Sequence, residues 1–561
     1  MSVTTELIGL GPSPYPGLAW QANEDGGPPY HYFEDREDHG VLYRVQNALF
    51  DGTQWHVQDT SKGAYAFALN GVDGSIIYLA PNRSGSTFDS WAVTGKHGVY
   101  DVRDFGASGT GLTDDSVYIQ AAATACNNAG GGTVYVPPGK YLMTNFVKLG
   151  SETILQGSPA GSSADDPTAR SVLVADSSIN GGGMLSGNIV VANIGYDNPQ
   201  PGMTLEDNIT IRDLNFDGNA AGNLRSYGNA TLFFLGVKNV RIENCAVFNC
   251  ANHAISVVST ASPANPTQGN VWIRNNIIDV MPKRDMVPPS PTYALTSGNI
   301  AIRCEALDAV FIDSNVIGFN GRTAAPAWIP TWSNDAIDVP GCNYATITNN
   351  QIQWATDGIG LNNSVNAIVS GNIISNCIGE GISSFAPSVS GVSYLTIVGN
   401  IVSAVPSDKI VLQLGTMIFA IRSTSNNGPT SQYVTITGNI CYGPFTDGAI
   451  DGNSANTTIS DNQIDCQGTI GATHYPGLGI SIKQNSCTVT GNTIRNQYGS
   501  TNAAAILIFT SMAGTGLLGI VVQGNNIDGS NTTPIQFQSN LNPQTGLISE
   551  NFGIVTYATI A

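Results

Sequence analysis

From about residue 205 the chain keeps returning to one pattern, in which β-branched and polar residues alternate over a few positions and the run closes on asparagine. The phrases "VWIRNN", "VFIDSN", "ATITNN", "AIVSGN", "LTIVGN", "VTITGN", "TTISDN", "CTVTGN", "IVVQGN" and "GLISEN" end at Asn276, Asn315, Asn350, Asn372, Asn400, Asn439, Asn462, Asn492, Asn525 and Asn551. Successive asparagines lie 39, 35, 22, 28, 39, 23, 30, 33 and 26 residues apart. Alternation of period two over so few residues predicts short half-buried strands, and the spacing predicts a minimal coil carrying loops of variable length. Asn suits the end of each run because it tolerates left-handed backbone and its amide can stack from coil to coil. The predicted fold is all-β, a parallel β-helix whose coils pair at about 4.8 Å.

A solenoid needs closed ends. The segment "YDVRDFGASGTGLTDDSVYIQAAATACNNAGGGTVYVPPGKYLM", from Tyr100 to Met143, reads as a strand, a Gly-rich turn, an amphipathic helix starting near Asp114 or Asp115, and a further strand. Its order of "DFGA", "TDD", helix, and "GGGTVYVPPGKY" resembles the entry motif of the pectate lyase superfamily. That resemblance implies a right-handed parallel β-helix with an N-terminal capping helix. Residues 1–98 lack the repeat, and "GTQWHVQ", "AYAFALN" and "SIIYLAP" alternate like strands of a small β module. The expected division is therefore 1–98 as an attachment or oligomerisation module and 99–561 as the β-helix domain. The stretch "NALFDGTQWHVQDT" is similar to short modules of phage tail fibres and spikes. A terminal coil invites edge pairing unless covered, so a homotrimer packed side by side is expected in line with the β-helix family resemblance.

Composition narrows the functions. Charged residues make up 11% of the chain and the formal net charge is −19, which disfavours nucleic acid or an anionic membrane as partner. Nine cysteines occur singly with no CxxC pair, so neither a disulfide framework nor a zinc site is expected. The start, "MSVTTELIGLGPSPYPG", has no basic n-region or apolar h-region, so an extracellular or virion location reached without Sec export is expected.

Three acids stand out in this weakly charged chain. Asp335 in "NDAIDV", Asp357 in "TDGIGL" and Glu380 in "GEGISS" each precede a small residue and an isoleucine. Ile337 and Ile359 both lie 13 residues before the next repeat asparagine, so Asp335 and Asp357 should share a station on adjacent coils, with Glu380 aligned through its own "GI". Stacked carboxylates repel and raise at least one pKa. Glycoside cleavage uses such a set, one carboxyl group protonated as acid and another ionised. The arrangement resembles polygalacturonase-like hydrolases, whose "NTDG.D", "DD" and "GHG" fall on successive coils: "NDAID" matches the first at Asp335 and Asp338, "TDG" matches the second at Asp357 with Thr356 replacing an acid, and "GEG" carries Glu380 in place of histidine. The departure leaves Glu380 as the expected acid, with Asp335 and Asp357 holding or activating water, Asp338 in support, and Asp447 or Asp451 as extensions of the column.

Around the column, Trp328, Trp332 and Trp354 suit stacking on sugar rings. His253, Arg303 and Arg422 are candidates for substrate contacts, each with a structural alternative, a hydrogen-bonded histidine or a surface ion pair. The expected function is a polysaccharide depolymerase of hydrolytic type, with no cofactor. The alternatives are a polysaccharide lyase, for which the acids could hold Ca²⁺, and a non-catalytic glycan-binding spike.

Overall fold

The structure is a computed structural model. It describes residues 98–158, 170–176, 179, 189–198, 205–219, 230–248, 250, 253–260, 268–279, 300–318, 335–353, 355, 357–377, 379–385, 392–404, 417–424, 431–466, 478–495, 504–509, 518–528, 534–538, 547–551 and 557–560, with the backbone of several strands between 31 and 93. Trp328, Trp332 and Trp354 lie outside the described residues.

Each repeat of the sequence forms one coil of three strands. A typical coil runs through Asn343–Thr348, Gln351–Gln353 and Asp357–Gly360, and each strand pairs in parallel with its counterpart on the next coil. Three parallel sheets result, all-β apart from a short helical content, as the asparagine repeats predict. The isoleucine or valine of each strand faces inward: Ile312, Ile347 and Val369 in the first sheet, Ile352, Ile374 and Val402 in the second, and Ile337, Ile359 and Ile382 in the third are all fully buried.

The repeat asparagines form a continuous internal ladder. Asn350 accepts hydrogen bonds on Oδ1 from the N–H and Nδ2 of Asn315, 3.0 and 2.9 Å away. Its own Nδ2 donates to Oδ1 of Asn372 and to the carbonyl of Ile312. The same contacts link Asn276 through to Asn551. Stacking is thus borne out, but the left-handed backbone belongs to the residue before. Asn275, Ser314, Asn349, Gly371, Gly399, Gly438, Asp461, Gly491, Gly524 and Glu550 take φ between 54° and 68°. Each coil turns on a pair, one residue supplying positive φ and the next supplying the amide.

By compactness the chain divides into two units. One comprises 1–107, 117–137 and 149–156. It contains an antiparallel pair, His31–Arg36 with Val41–Val45, and a five-stranded antiparallel sheet drawn from residues 48–93. It also holds most of the helix Ser116–Asn128 and a parallel trio, Gly98–Asp101, Gly132–Tyr135 and Thr153–Gln156. The other unit comprises 108–116, 138–148 and 157–561 and carries the asparagine ladder. All nine cysteines are free and buried, so they serve the core.

Candidate active site

The third sheet brings the acidic residues into register. Asp335 pairs directly with Asp357, and Ile337 with Ile359. Ile359 in turn pairs with Ile382, which places Glu380 beside Asp357 on the following coil. The local phrase, acid then Ala or Gly then Ile, has a steric cause. A Cβ on Gly358 would meet the Gly381 carbonyl oxygen and Ile374 Cγ2, and one on Gly381 would meet Val402 Cγ1 and the Ala420 carbonyl oxygen. Only small side chains fit this corner between the second and third sheets. The isoleucine after it fills the core, and the acid before it is left on the outside.

The outward position is settled by Gly360. A Cβ there would lie within 2.6 Å of all three atoms of the Asp335 carboxyl group, so the Asp335 side chain lies over the outer face of the next strand. Asp338 is on the same outer face, since it pairs in register with both Arg303 and Gly360. The four acids Asp335, Asp338, Asp357 and Glu380 thus share one patch.

Their surroundings differ. Burial, followed by the charges of Asp338 and Asp357, pushes the Asp335 carboxyl well above the ordinary range. Burial also pushes Asp357 up to about 6, against a 2.5 Å hydrogen bond that its Oδ1 accepts from the Glu380 N–H. Asp338 is likewise raised by burial to about 6, with the nearby Arg303 guanidinium holding it back. Glu380 is buried but paired, its Oε1 lying 2.6 Å from Nη1 of Arg422.

Two arginines bracket the patch on the outer face of the third sheet. Arg303 binds Oε2 of Glu305 through Nε and Nη2 at 3.1 and 2.8 Å, and its Nη1 is 3.8 Å from Asp338. Arg422 donates from Nε to Thr424 Oγ1 at 3.1 Å, and Nε also lies 3.6 Å from Asp451. Its guanidinium stands 5.4 Å from the ring centres of both Phe385 and Phe419. Asp451 is fully buried, with Lys483 Nζ at 3.0 Å and a 2.5 Å hydrogen bond from Ser481 Oγ.

Of the residues singled out in the sequence, Asp335, Asp338, Asp357, Glu380, Arg303 and Arg422 come together. Asp451 joins them through Arg422, whereas Asp447 stands one residue before the strand Gly448–Asn453 and outside the register. His253 is 6% exposed, its Nδ1 accepts a 3.1 Å hydrogen bond from the Ile300 N–H, and burial with the charge of Arg303 pushes its pKa down to about 4. It thus satisfies one backbone donor, as the structural alternative expects. Glu305, Thr424, Ser481 and Lys483 were missed by sequence reasoning. Alternation could have found the first two, since residues two apart on a strand share a face with Arg303 and Arg422. Among the described residues, no cluster of three or more His, Cys, Asp or Glu side chains could hold a metal ion.

Three parallel sheets, an internal asparagine ladder and an acidic column on an outer face define a right-handed parallel β-helix of the pectate lyase type. A family model described as rhamnogalacturonase A/epimerase, pectate lyase-like, matches residues 99–383, and a right-handed β-helix region model matches 300–530. The first match spans just over half of the chain, which belongs to that family. Mannuronan C5-epimerase AlgE6 of Azotobacter vinelandii is 64% identical over 42 residues, 8% of this chain and 5% of that protein. Mannuronan C5-epimerase AlgE4 of the same organism is 32% identical over 126 residues, 21% of this chain and 20% of that protein. The chain therefore matches a fifth or less of the length of these relatives. Among solved structures, the family 28 exopolygalacturonase of Yersinia enterocolitica is 12% identical, with 84% of this chain and 82% of that one covered at a TM-score of 0.41.

Proposed function

We propose that the protein is a polysaccharide depolymerase that hydrolyses glycosidic bonds over the outer face of the third sheet. The observation that carries this reading is the in-register set Asp335, Asp357 and Glu380, whose members occupy unlike environments. Acid–base cleavage of a glycosidic bond needs one carboxyl group protonated and another ionised at the same pH.

The environments favour Asp335 over Glu380 as the proton donor. Asp335 has burial and three neighbouring acids working against its charge, and Glu380 has an arginine at 2.6 Å. Asp335 then protonates the leaving oxygen, Glu380 activates water, and Asp357 between them holds it. Two strand steps of about 4.8 Å separate Asp335 from Glu380, near the spacing of inverting hydrolases, about 6.5–9.5 Å. Asp338 and Arg303 keep the near end of the column ordered.

The test is a panel of polysaccharides assayed for new reducing ends, with the anomer of the first product read by NMR. Cleavage that is lost in Asp335→Asn and gives an inverted anomer supports the assignment; retention of configuration transfers the second role from Glu380 to the adjacent Asp357. A second reading, proton abstraction from a uronate in a lyase or epimerase reaction, draws support from the local likeness to mannuronan epimerases. Unsaturated products, or solvent deuterium at C5 without new reducing ends, would establish it instead. The extracellular or virion setting and the homotrimer belong to the hydrolase reading on sequence grounds, and sedimentation of the purified chain measures the second.

A further inference from the structure

We infer that the glycan lying over this column is uncharged, in contrast to a polyuronate; the inference rests on the third-sheet face being the substrate site. A polyuronate brings one carboxylate per sugar, and a site that grips it needs cations to spare. Among the described residues of this face the cations are already committed. Arg303 has two carboxylates of its own, Glu305 at 2.8 Å and Asp338 at 3.8 Å. Arg422 has Glu380 at 2.6 Å and Asp451 at 3.6 Å, and Lys483 has Asp451 at 3.0 Å.

The balance of the face is negative. Among the described residues of these strands, the four column acids together with Glu305 and Asp451 oppose Arg303, Arg422 and Lys483, six acids to three bases. Protonating Asp335 still leaves five against three. A uronate reaching the exposed edge of Arg422 would lie beside Glu380 and near fully buried Asp451, which already hold that guanidinium. Like charges a few ångströms apart repel, so the incoming carboxylate is disfavoured there.

A neutral sugar has no such conflict. Its hydroxyls can donate to carboxylates and accept from the half-exposed edges of the arginines, which are 30% exposed. The floor between the two arginines suits it also. The outer positions there are Asp338, Gly360, over which the Asp335 carboxyl lies, and Ser383, in register between Arg303 and Arg422. At four strand steps of about 4.8 Å, that floor is long enough for a few sugar units laid along the coil axis.

The experiment measures equilibrium binding and cleavage in parallel. The probes are neutral oligosaccharides of the gluco-, galacto- and manno-series, and oligomers of galacturonate, mannuronate and guluronate, each at low and high salt. The expected result is that a neutral series binds at least about tenfold tighter than every uronate series, with an affinity that changes less than about threefold between about 0.05 M and 0.5 M salt. Neutral binding with cleavage sustains both this inference and the hydrolase. Neutral binding without cleavage sustains the inference and overturns the hydrolase. Tighter binding of any uronate series, or no binding of any neutral one, overturns the inference, and uronate cleavage to saturated products in that case leaves the hydrolase standing. The variant Glu305→Lys, at a side chain 39% exposed, adds a second reading. It should raise uronate affinity relative to neutral affinity by several-fold; an unchanged ratio overturns the charge argument.

Discussion

At the scale of single residues, the column is a place where the fold holds carboxyl groups against their ordinary ionisation. The raised pKa values of Asp335, Asp338 and Asp357 mean that the folded state favours their protonated forms. The stability they contribute is complete below the ordinary carboxyl value and is lost as pH rises through about 6 for Asp338 and Asp357, and as pH rises through its own raised value for Asp335. Asp357→Asn keeps an oxygen for the Glu380 N–H and removes the charge. The variant is expected to be more stable than the parent at pH 8 by on the order of 1–3 kcal/mol, and to lose that advantage near pH 4; thermal melts across pH measure it. Asp335→Asn should behave likewise in stability and lower kcat by about 10²–10⁴. Equal melting curves at pH 8 would show that burial does not work against these charges. Gly360→Ala tests the geometry alone, because the new methyl group occupies the space of the Asp335 carboxyl. Its expected signature is a fall in kcat with circular dichroism unchanged.

At the scale of the strand and its turn, the ladder couples neighbouring coils. In Asn372→Ala, the N–H of Asn350 loses its acceptor, and the carbonyl of Ile347 and Oδ1 of Asn400 lose the Nδ2 donor. Buried groups left unpaired cost about 1–3 kcal/mol each, so a loss on the order of 3 kcal/mol or more in urea unfolding is expected, and less than about 1 kcal/mol would mean that water replaces the amide. Gly371→Ala acts on the other half of the pair, through its φ of 65°, and should cost about 1 kcal/mol. Here the sequence was most legible. Period-two alternation closing on asparagine reveals strand, ladder and register together, and counting from Ile337 and Ile359 to the next asparagine was enough to align two acids. What it could not show was which way Asp335 turns, because that follows from a corner where Gly358 and Gly381 exclude larger side chains. Nor could it show that Glu380 is tied to Arg422, which lies 42 residues away and meets it only by coil stacking. The role first expected of Glu380 therefore passes to Asp335 in the proposed reaction.

At the scale of the whole molecule, the same stacking distributes nine free thiols through the core, from Cys126 to Cys487. Burial raises the thiol pKa of Cys304 and Cys466, and pushes it to about 11 at Cys126 and Cys487 and about 12 at Cys245, Cys342, Cys377 and Cys441. An aromatic disulfide reagent should therefore label none of them in the native protein and all nine in denaturant; rapid labelling of one or two would locate the coils that open first. Charge is the other property that works over long range. With a net charge of −19, weak attraction for polyanions follows from the chain as a whole, and the acidic face of the third sheet concentrates it where a glycan would lie.

Because the seam of amides recurs once per coil, the molecule can be shortened by a whole rung. The segment from Gln351 to Asn372 is the briefest interval between two seam asparagines, 22 residues, and its excision would splice Asn350 to Ile373 with every remaining strand still facing a parallel neighbour. Asp335 would then stand next to Glu380. One cut would convert a gap suited to a trapped water into one suited to direct attack, so the stereochemical outcome of bond breaking would be set by how many turns of chain separate two acids.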